Sequence, residues 1–211
     1  MSHKRNNYKT LAENFYIDGN LEKAAELFIK ALSFEGPQED DCLILFNLGA
    51  IHLELGELNK AEEYNQRILH IDPEWRDALY QLGIISEEKG DPEAALGYYE
   101  KAVEIDNNDV DSMYNMALLQ EKLGKTSEME KLYEDILCRD PMHFYSLNNL
   151  GAHMETLGEY DFAEDYLQRS IMINPEFYLS HFNMGVVLKA KGNYSGALEQ
   201  YEITRKLKPE F

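Results

Sequence analysis

The stretch SLNNLGAHMETLGEYDFAEDYLQRSIMINP, residues 146–175, decides the fold because its pattern recurs along the chain. Its Gly158 belongs to a series of six glycines that follow one another at a nearly constant interval. The six glycines are Gly19, Gly56, Gly90, Gly124, Gly158 and Gly192. A regular period of about 34 residues predicts stacked copies of one structural repeat.

The residues around each glycine recur as well, and their spacing predicts two antiparallel helices in every repeat. Upstream, apolar and tiny residues such as Gly151 recur at helical spacing along one face. Gly158 then ends the first helix, because a left-handed C-terminal cap is most accessible to glycine. A second helix carries Ala163 and Leu167 on one stripe and runs until Pro175 stops it. The tiny residues predict close packing of the two helices.

Four positions depart from the pattern. Met129 is a large residue at a position that is alanine in the other repeats, and Asn65 places an amide at a position that is bulky in the other repeats. His181 and Thr204 place polar groups in core slots of the last repeat. We expect these departures to alter local packing and to leave the fold unchanged.

Together with FNLGAIHLELGELNKAEEYNQRILHIDP, residues 46–73, these patterns resemble tetratricopeptide repeats. The resemblance covers six repeats: 5–41, 42–75, 76–109, 110–143, 144–177 and 178–211. It implies an all-α fold, a right-handed superhelical solenoid of six helix-turn-helix repeats with about twelve helices. We expect one domain over residues 1–211, in which the first repeat carries three extra residues around Gly36.

The charge balance restricts the partners. The chain has 39 acidic and 20 basic residues and a formal charge of −19, which argues against nucleic acid and anionic membrane. No run of 18 apolar residues is present, and the first residues lack the apolar segment of a secretory signal. We therefore expect a cytoplasmic protein, or a nuclear one in a eukaryote. Cys42 and Cys138 are expected to be free thiols of a reducing compartment.

No pattern of catalysis is present. The chain lacks a glycine-rich phosphate loop, a GxSxG nucleophile elbow and an HExxH motif, and its six histidines are scattered without ligand spacing. We expect no enzymatic activity, no cofactor and no metal.

One column of residues lies nine positions before the glycines and is rich in carboxamides. At 100° per residue this column points away from the buried stripe of the first helix, a face that lines the concave groove in tetratricopeptide proteins. A carboxamide both donates and accepts, so the column is a candidate ladder for the peptide groups of an extended ligand. Solvated residues of the family pattern are the alternative interpretation. The column consists of Thr10, Asn47, Gln81, Asn115, Asn149 and Asn183.

Neighbouring columns suggest the chemistry of the groove. The aromatic candidates are Phe46, Tyr80, Tyr114 and Phe182, for which packing is at least as good an explanation as ligand contact. The acidic candidates are Asp77, Asp111, Glu54, Glu87, Glu88, Glu121 and Glu155, for which a solvated face is the alternative. These columns predict a ligand with lysine or arginine and some apolar anchors. The chain lacks the cations with which chaperone cofactors of the family clamp an acidic C-terminal tail, so such a tail is not expected to bind.

The sequence therefore predicts a non-catalytic adaptor or scaffold that binds an extended peptide or a partner helix in its groove. One alternative is a self-assembling scaffold, a homo-oligomer formed through the last repeat, which ends at KLKPEF without a covering helix. The other alternative is a substrate-selecting arm of a larger enzyme such as a glycosyltransferase.

Overall fold

The computed structural model describes residues 2–210, which form twelve α-helices and no strand. The helices are α1 (Ser2–Ile17), α2 (Leu21–Leu32), α3 (Gln38–Glu54), α4 (Leu58–Ile71), α5 (Arg76–Glu88), α6 (Pro92–Ile105), α7 (Val110–Lys122), α8 (Thr126–Arg139), α9 (Phe144–Thr156), α10 (Tyr160–Ile173), α11 (Tyr178–Ala190) and α12 (Tyr194–Leu207). The chain divides into two compact units, unit 1 (Met1–Ser112) and unit 2 (Met113–Phe211).

Each first helix lies against the helix that follows it. In unit 1, α1 packs on α2, α3 on α4 and α5 on α6, and in unit 2, α9 packs on α10 and α11 on α12. Second helices also contact the next first helix, as α4 does with α5 and α10 with α11. First helices therefore bury more than one face.

The recurring glycines end the first helices as predicted. All six have positive φ angles of 72° to 80°, a region that glycine enters without the steric cost of a Cβ atom. At the end of α9, the N–H of Gly158 donates to the Glu155 carbonyl at 3.0 Å, and the N–H of Glu159 donates to the Met154 carbonyl at 2.9 Å. These bonds satisfy carbonyls that the helix end leaves without partners.

The tiny residues permit the close approach of helices within a pair. A Cβ atom built at Gly83 would lie 2.3 Å from the Tyr99 ring, and one at Gly151 would lie 2.6 Å from the Leu167 side chain. Real Cβ atoms do not approach other atoms so closely, so the prediction of close packing is confirmed. Larger side chains at these positions would force the helices apart.

The core of each unit lies between the paired helices. Buried apolar side chains in unit 1 include Ala24, Phe28, Ala61, Ile68, Ala95 and Tyr99. Those in unit 2 include Met129, Tyr133, Ala163, Leu167, Met184 and Val187. Met129 is thus accommodated in its enlarged slot, and the fold is unchanged.

His181 and Thr204, the polar departures of the last repeat, form hydrogen bonds in the core. His181 is buried, with Nδ1 2.7 Å from Oε1 of Gln200 and Nε2 2.9 Å from the Pro175 carbonyl. Thr204 is buried and donates to its own helix, to the Gln200 carbonyl at 3.0 Å. These bonds offset the cost of removing polar groups from water.

The three extra residues of the first repeat lie beside a buried arginine. Arg5 is only 2% exposed, and it donates to the Phe34 carbonyl at 2.7 Å and to Oδ1 of Asp41 at 2.5 Å. Gly36 contacts its guanidinium so closely that an added Cβ atom would lie 2.5 Å from it. Arg5 therefore holds the segment between α2 and α3 against α1.

Cys42 is buried and Cys138 is exposed, and both are free cysteines. Within residues 2–210, no helix has both the length and the apolar character that crossing a membrane requires.

Candidate functional site

The carboxamide column does not point uniformly away from the core. Gln81 is buried, with only 7% of its surface exposed, and its Oε1 accepts a hydrogen bond from Nδ2 of Asn65 at 2.9 Å. Asn65 also donates to the Ala61 carbonyl at 2.9 Å. The expected outward direction is therefore wrong for Gln81, which joins α5 to α4.

In unit 2, Asn149 links two tyrosines. Its Nδ2 donates to the Tyr114 hydroxyl at 3.2 Å and to the Tyr133 hydroxyl at 2.9 Å, and its Oδ1 accepts from Nδ2 of Asn148 at 3.0 Å. Burial raises the pKa of both tyrosines, and the hydrogen bond from Asn149 lowers the pKa in part. Both donors of this amide are used within the molecule, and only an acceptor lone pair is left for a ligand.

Asn183 and Asn148 belong to a second polar network in unit 2. Nδ2 of Asn183 donates to Oδ1 of Asn148 at 3.0 Å. The same oxygen accepts from the Ser180 hydroxyl at 3.2 Å, and Ser180 lies 2.7 Å from the Ser170 hydroxyl. Asn148 is buried one position before the column, so the column alone does not reveal it.

Of the remaining members of the column, two are half-buried, as Asn149 and Asn183 are, and one is exposed. Asn47 is half-buried and donates to the Leu43 carbonyl of its own helix at 2.9 Å, Asn115 is half-buried, and Thr10 is exposed. The projection assumed a single buried stripe, whereas α9 lies against α8, α10 and α11. A first helix that packs on several sides exposes a narrower stripe of residues than the projection at 100° per residue predicts.

The aromatic candidates are half-buried, and three of them lie beside an aromatic residue of the second helix. Ring centroids are 6.0 Å apart for Tyr80 and Tyr99, 6.0 Å for Tyr114 and Tyr133, and 5.9 Å for Phe182 and Tyr201. Phe46 packs on the core formed by Cys42, Leu45, Ile68 and Ala78. These distances favour packing as the main role of these rings.

The acidic candidates differ in their surroundings. Asp111, Glu88 and Glu121 are exposed, Glu155 is half-buried, and Asp77 is half-buried and paired with Arg76. Glu87 accepts from the Tyr99 hydroxyl at 2.8 Å, and Glu54 accepts from the Tyr16 hydroxyl at 2.5 Å. The bond to Glu54 raises the pKa of Tyr16 to about 12.

Unit 2 also contains an aromatic cluster (His143, Phe144, Tyr145, Phe177 and Tyr178) where α9 and α11 begin. The Tyr145 centroid lies 4.0 Å from that of Phe144, 5.1 Å from that of Phe177 and 5.8 Å from that of His143. Tyr145 nevertheless remains 42% exposed. The ring is thus held in place by its neighbours and still open to a ligand.

Tyr145 and its aromatic neighbours are not among the site residues predicted from sequence, although a signal was present. His143 and Phe177 occupy equivalent positions of successive repeats, as do Phe144 and Tyr178. His143 is fixed as the cap of α9, because its side chain accepts from the N–H of Ser146 at 3.2 Å. Comparing the residues just before and just after the start of each first helix would have found the cluster.

A second feature of unit 2 is an acidic cleft (Glu121, Thr126, Met129, Glu130, Ala152, His153, Thr156 and Leu157). Its volume is about 410 Å³. Nε2 of His153 lies 2.8 Å from Oε1 of Glu130 at its wall. Carboxylates, hydroxyls and apolar side chains thus surround one open space.

Comparison with known proteins identifies the family. Three models described as tetratricopeptide repeat match residues 10–75, 76–109 and 98–131. The chain is a tetratricopeptide repeat protein. A curated relative, the Photosystem I assembly protein Ycf3 of Acaryochloris marina, is 36% identical over 64 residues, which are 30% of this chain and 39% of the relative. The match thus spans well under half of that relative.

Solved structures share the fold of these tetratricopeptide repeats. A tetratricopeptide repeat protein from Parabacteroides merdae superposes with a TM-score of 0.77 at 20% identity. The superposition covers 95% of this chain and 78% of the Parabacteroides protein. YrrB, described as a TPR protein with an unusual peptide-binding site, superposes with a TM-score of 0.65 at 20% identity. The superposition covers 88% of this chain and 94% of YrrB. MamA superposes with a TM-score of 0.67 at 18% identity, which covers 82% of this chain and 94% of MamA. The predicted all-α tetratricopeptide fold class is therefore confirmed.

Proposed function

We propose that this tetratricopeptide repeat protein is a non-catalytic interaction module that binds an extended peptide or a partner helix along its first helices. The observation that carries the proposal is Tyr145, a ring fixed by aromatic neighbours and 42% exposed. Rigid aromatic side chains bind partners with little loss of side-chain entropy. The family supports a protein-interaction role in general, and YrrB is described as having a peptide-binding site.

The ligand chemistry follows the charges and rings on the first helices of each unit. Exposed Asp111 and Glu88 in unit 1 and exposed Tyr145 in unit 2 favour a ligand with basic and apolar side chains. The negative net charge disfavours nucleic acid and anionic membrane as partners. We also propose, as the sequence predicts, that the chain forms a single domain, has no catalytic activity and is located in the cytoplasm.

Among the amides of the column, Asn47 is the better candidate for ligand contact, because its described hydrogen bond stays within its own helix, and half-buried Asn115 remains a candidate. Asn149 and Asn183 would contribute mainly by positioning their neighbours, since both donors of Asn149 and one of Asn183 are bound within unit 2. Gln81 is assigned no direct contact, because it is buried against Asn65.

A library of displayed random 12-residue peptides tests the proposal. Peptides enriched on the wild-type protein should lose about tenfold or more in affinity for Tyr145→Ser, because the variant removes the aromatic anchor. Tyr194→Ser is the matched control, since Tyr194 is 71% exposed and lies on α12. Circular dichroism verifies that both variants remain folded.

Two results would count against the proposal. Enriched peptides that bind Tyr145→Ser as tightly as the wild type would remove Tyr145 from the site. No enrichment, together with a concentration-dependent oligomer in light scattering, would replace the interaction module with the self-assembling scaffold.

A further inference from the structure

We propose that unit 2 binds a segment carrying an apolar side chain against Tyr145 and, four or five residues away, a lysine whose ammonium group enters the acidic cleft. This inference rests on the proposed function and specifies the partner of the same surface. It combines two separate features of unit 2, the aromatic cluster and the acidic cleft.

The lining of the cleft suits an ammonium group on an alkyl stem. Glu121 and Glu130 supply carboxylates, and Thr126 and Thr156 supply hydroxyl oxygens that accept hydrogen bonds. Ala152 and Leu157 offer apolar surface to the methylene groups of a lysine, whose stem packs on them while the charge stays near polar groups. Of the described residues, none that lines the cleft is a lysine or an arginine.

The position of His153 favours lysine over arginine. Its Nε2 lies 2.8 Å from Oε1 of Glu130, so one oxygen of that carboxylate already has a partner. An arginine gains most from a carboxylate whose two oxygens are both available to its planar fork. A lysine is a compact point charge and requires only the second oxygen of Glu130 and the carboxylate of Glu121.

The spacing follows from the geometry of α9. Tyr145, Asn149, Ala152 and Thr156 are separated by four, three and four residues and therefore lie on one stripe of the helix. At 1.5 Å per residue, the cleft residues Ala152 to Thr156 lie about 10 to 16 Å along the helix from Tyr145. An extended chain advances about 3.3 Å per residue, so about four or five ligand residues span most of this distance.

The cleft also lies close to the network beneath the stripe. Glu121 acts electrostatically on the hydroxyls of both Tyr114 and Tyr133, which Asn149 bridges. A cation placed beside Glu121 would therefore be near groups that Asn149 holds in position. The aromatic cluster, the amide and the cleft form a series of three neighbouring chemical environments along α9.

Fluorescein-labelled peptides of the form leucine, serine spacer, lysine test this inference by fluorescence anisotropy. Spacers of three or four serines should bind best, and a spacer of one serine should bind about tenfold more weakly because it does not reach both features. Replacing the lysine by acetyl-lysine should weaken the best peptide by about tenfold, since the charge is lost. Glu121→Gln and Glu130→Gln should each remove most of this discrimination.

The control is Glu128→Gln, because Glu128 is exposed on α8 and does not line the cleft. Glu121→Gln keeps the test decisive if Glu130→Gln disturbs His153, because no hydrogen bond joins Glu121 to that histidine among the described contacts. Equal binding of the lysine and acetyl-lysine peptides, still dependent on Tyr145, would overturn the cleft assignment and leave the proposed function standing. Failure of every peptide to bind in a Tyr145-dependent manner would overturn both.

Discussion

Units 1 and 2 build the same helical repeats and connect them with different chemistry. Unit 1 contains 24 acidic and 10 basic residues, a formal charge of −14, whereas unit 2 contains 15 acidic and 10 basic residues, a formal charge of −5. In unit 1 the buried polar contacts include ion pairs, Arg5 with Asp41 at 2.5 Å and Arg76 with buried Asp109 at 3.0 Å. In unit 2 they are mainly amides, hydroxyls and rings.

The same difference appears at equivalent surface positions. Asp77 and Asp111 stand in unit 1 where Tyr145 and Leu179 stand in unit 2, at the same position of successive repeats. Tiny residues and glycine caps set the packing of the helices in both units, so the flanking positions are free to vary. The fold thus constrains few positions, and the other positions determine the chemistry of the ligand-binding surface.

Arg5→Met should produce the largest effect, and it acts in unit 1. The variant removes the ion pair with Asp41 and the hydrogen bond to the Phe34 carbonyl, while its side chain still fills part of the space beside Gly36. Because Asp41 remains partly hydrated, we expect the free energy of unfolding to fall by about 2 kcal/mol, less than for a fully buried pair. Urea denaturation measures this change.

Lys4→Met is the control for Arg5→Met, because Lys4 is the exposed neighbour of Arg5 on α1. Equal stability of the two variants would mean that unit 1 does not depend on this buried ion pair. Unit 1 would then be left with its amide pair Asn65–Gln81, and its contrast with the amides and hydroxyls of unit 2 would lose its main support.

Asn149→Ala should have a smaller effect, in unit 2. It leaves the buried hydroxyl of Tyr133 without the donor that now lies 2.9 Å away, at a cost of about 1 to 2 kcal/mol. Adding Tyr133→Phe should recover part of this loss, because the unpaired hydroxyl is removed. Asn47→Ala, at the equivalent position in unit 1, should cost less, since Asn47 bonds only to the carbonyl of Leu43 among the contacts described.

Thermal and urea unfolding of the three variants measure these differences. If Asn149→Ala and Asn47→Ala proved equally mild, Asn149 would be a surface residue in effect, and the hypothesis of a free amide ladder would be favoured again. A double variant no more stable than Asn149→Ala alone would contradict the role given to the Tyr133 hydroxyl.

The period and the caps were predictable from sequence because they depend on local physics. A left-handed cap selects glycine at each repeat, as at Gly158, and close helix contact selects a tiny residue, as at Gly151. These requirements recur at fixed spacing and so appear as a repeat. The helix pairs follow from them directly.

The direction of the amide column was less predictable because it depends on contacts between neighbouring repeats. Gln81 is buried by Asn65, a residue 16 positions earlier whose amide replaces the usual bulky side chain. A projection of one isolated helix contains no information on such a partner. Pairing each column residue with the residue 16 positions before it would also have linked Asn149 to Tyr133.

Alkaline pH should produce the most selective effect. Burial raises the pKa of Tyr114 and Tyr133 above the ordinary value, so each folded tyrosine holds its proton at a pH where the unfolded one has begun to lose it. The associated stability is present below about pH 10 and is lost as the pH rises towards the folded pKa, by up to about 1.4 kcal/mol per pH unit for each tyrosine.

Urea denaturation at pH 9, 10 and 11 measures this loss. Tyr133→Phe should flatten the pH dependence, because its ring carries no ionisable proton, and Tyr194→Phe on the exposed surface of α12 is the control substitution. Tyr16→Phe extends the comparison to unit 1, where the bond to Glu54 rather than burial is the main cause of the raised pKa. Because that bond is exposed and open to screening, added salt should reduce the Tyr16 contribution and spare that of Tyr133. Equal salt sensitivity of the two would indicate that unit 2 does not shield its tyrosines more than unit 1 does.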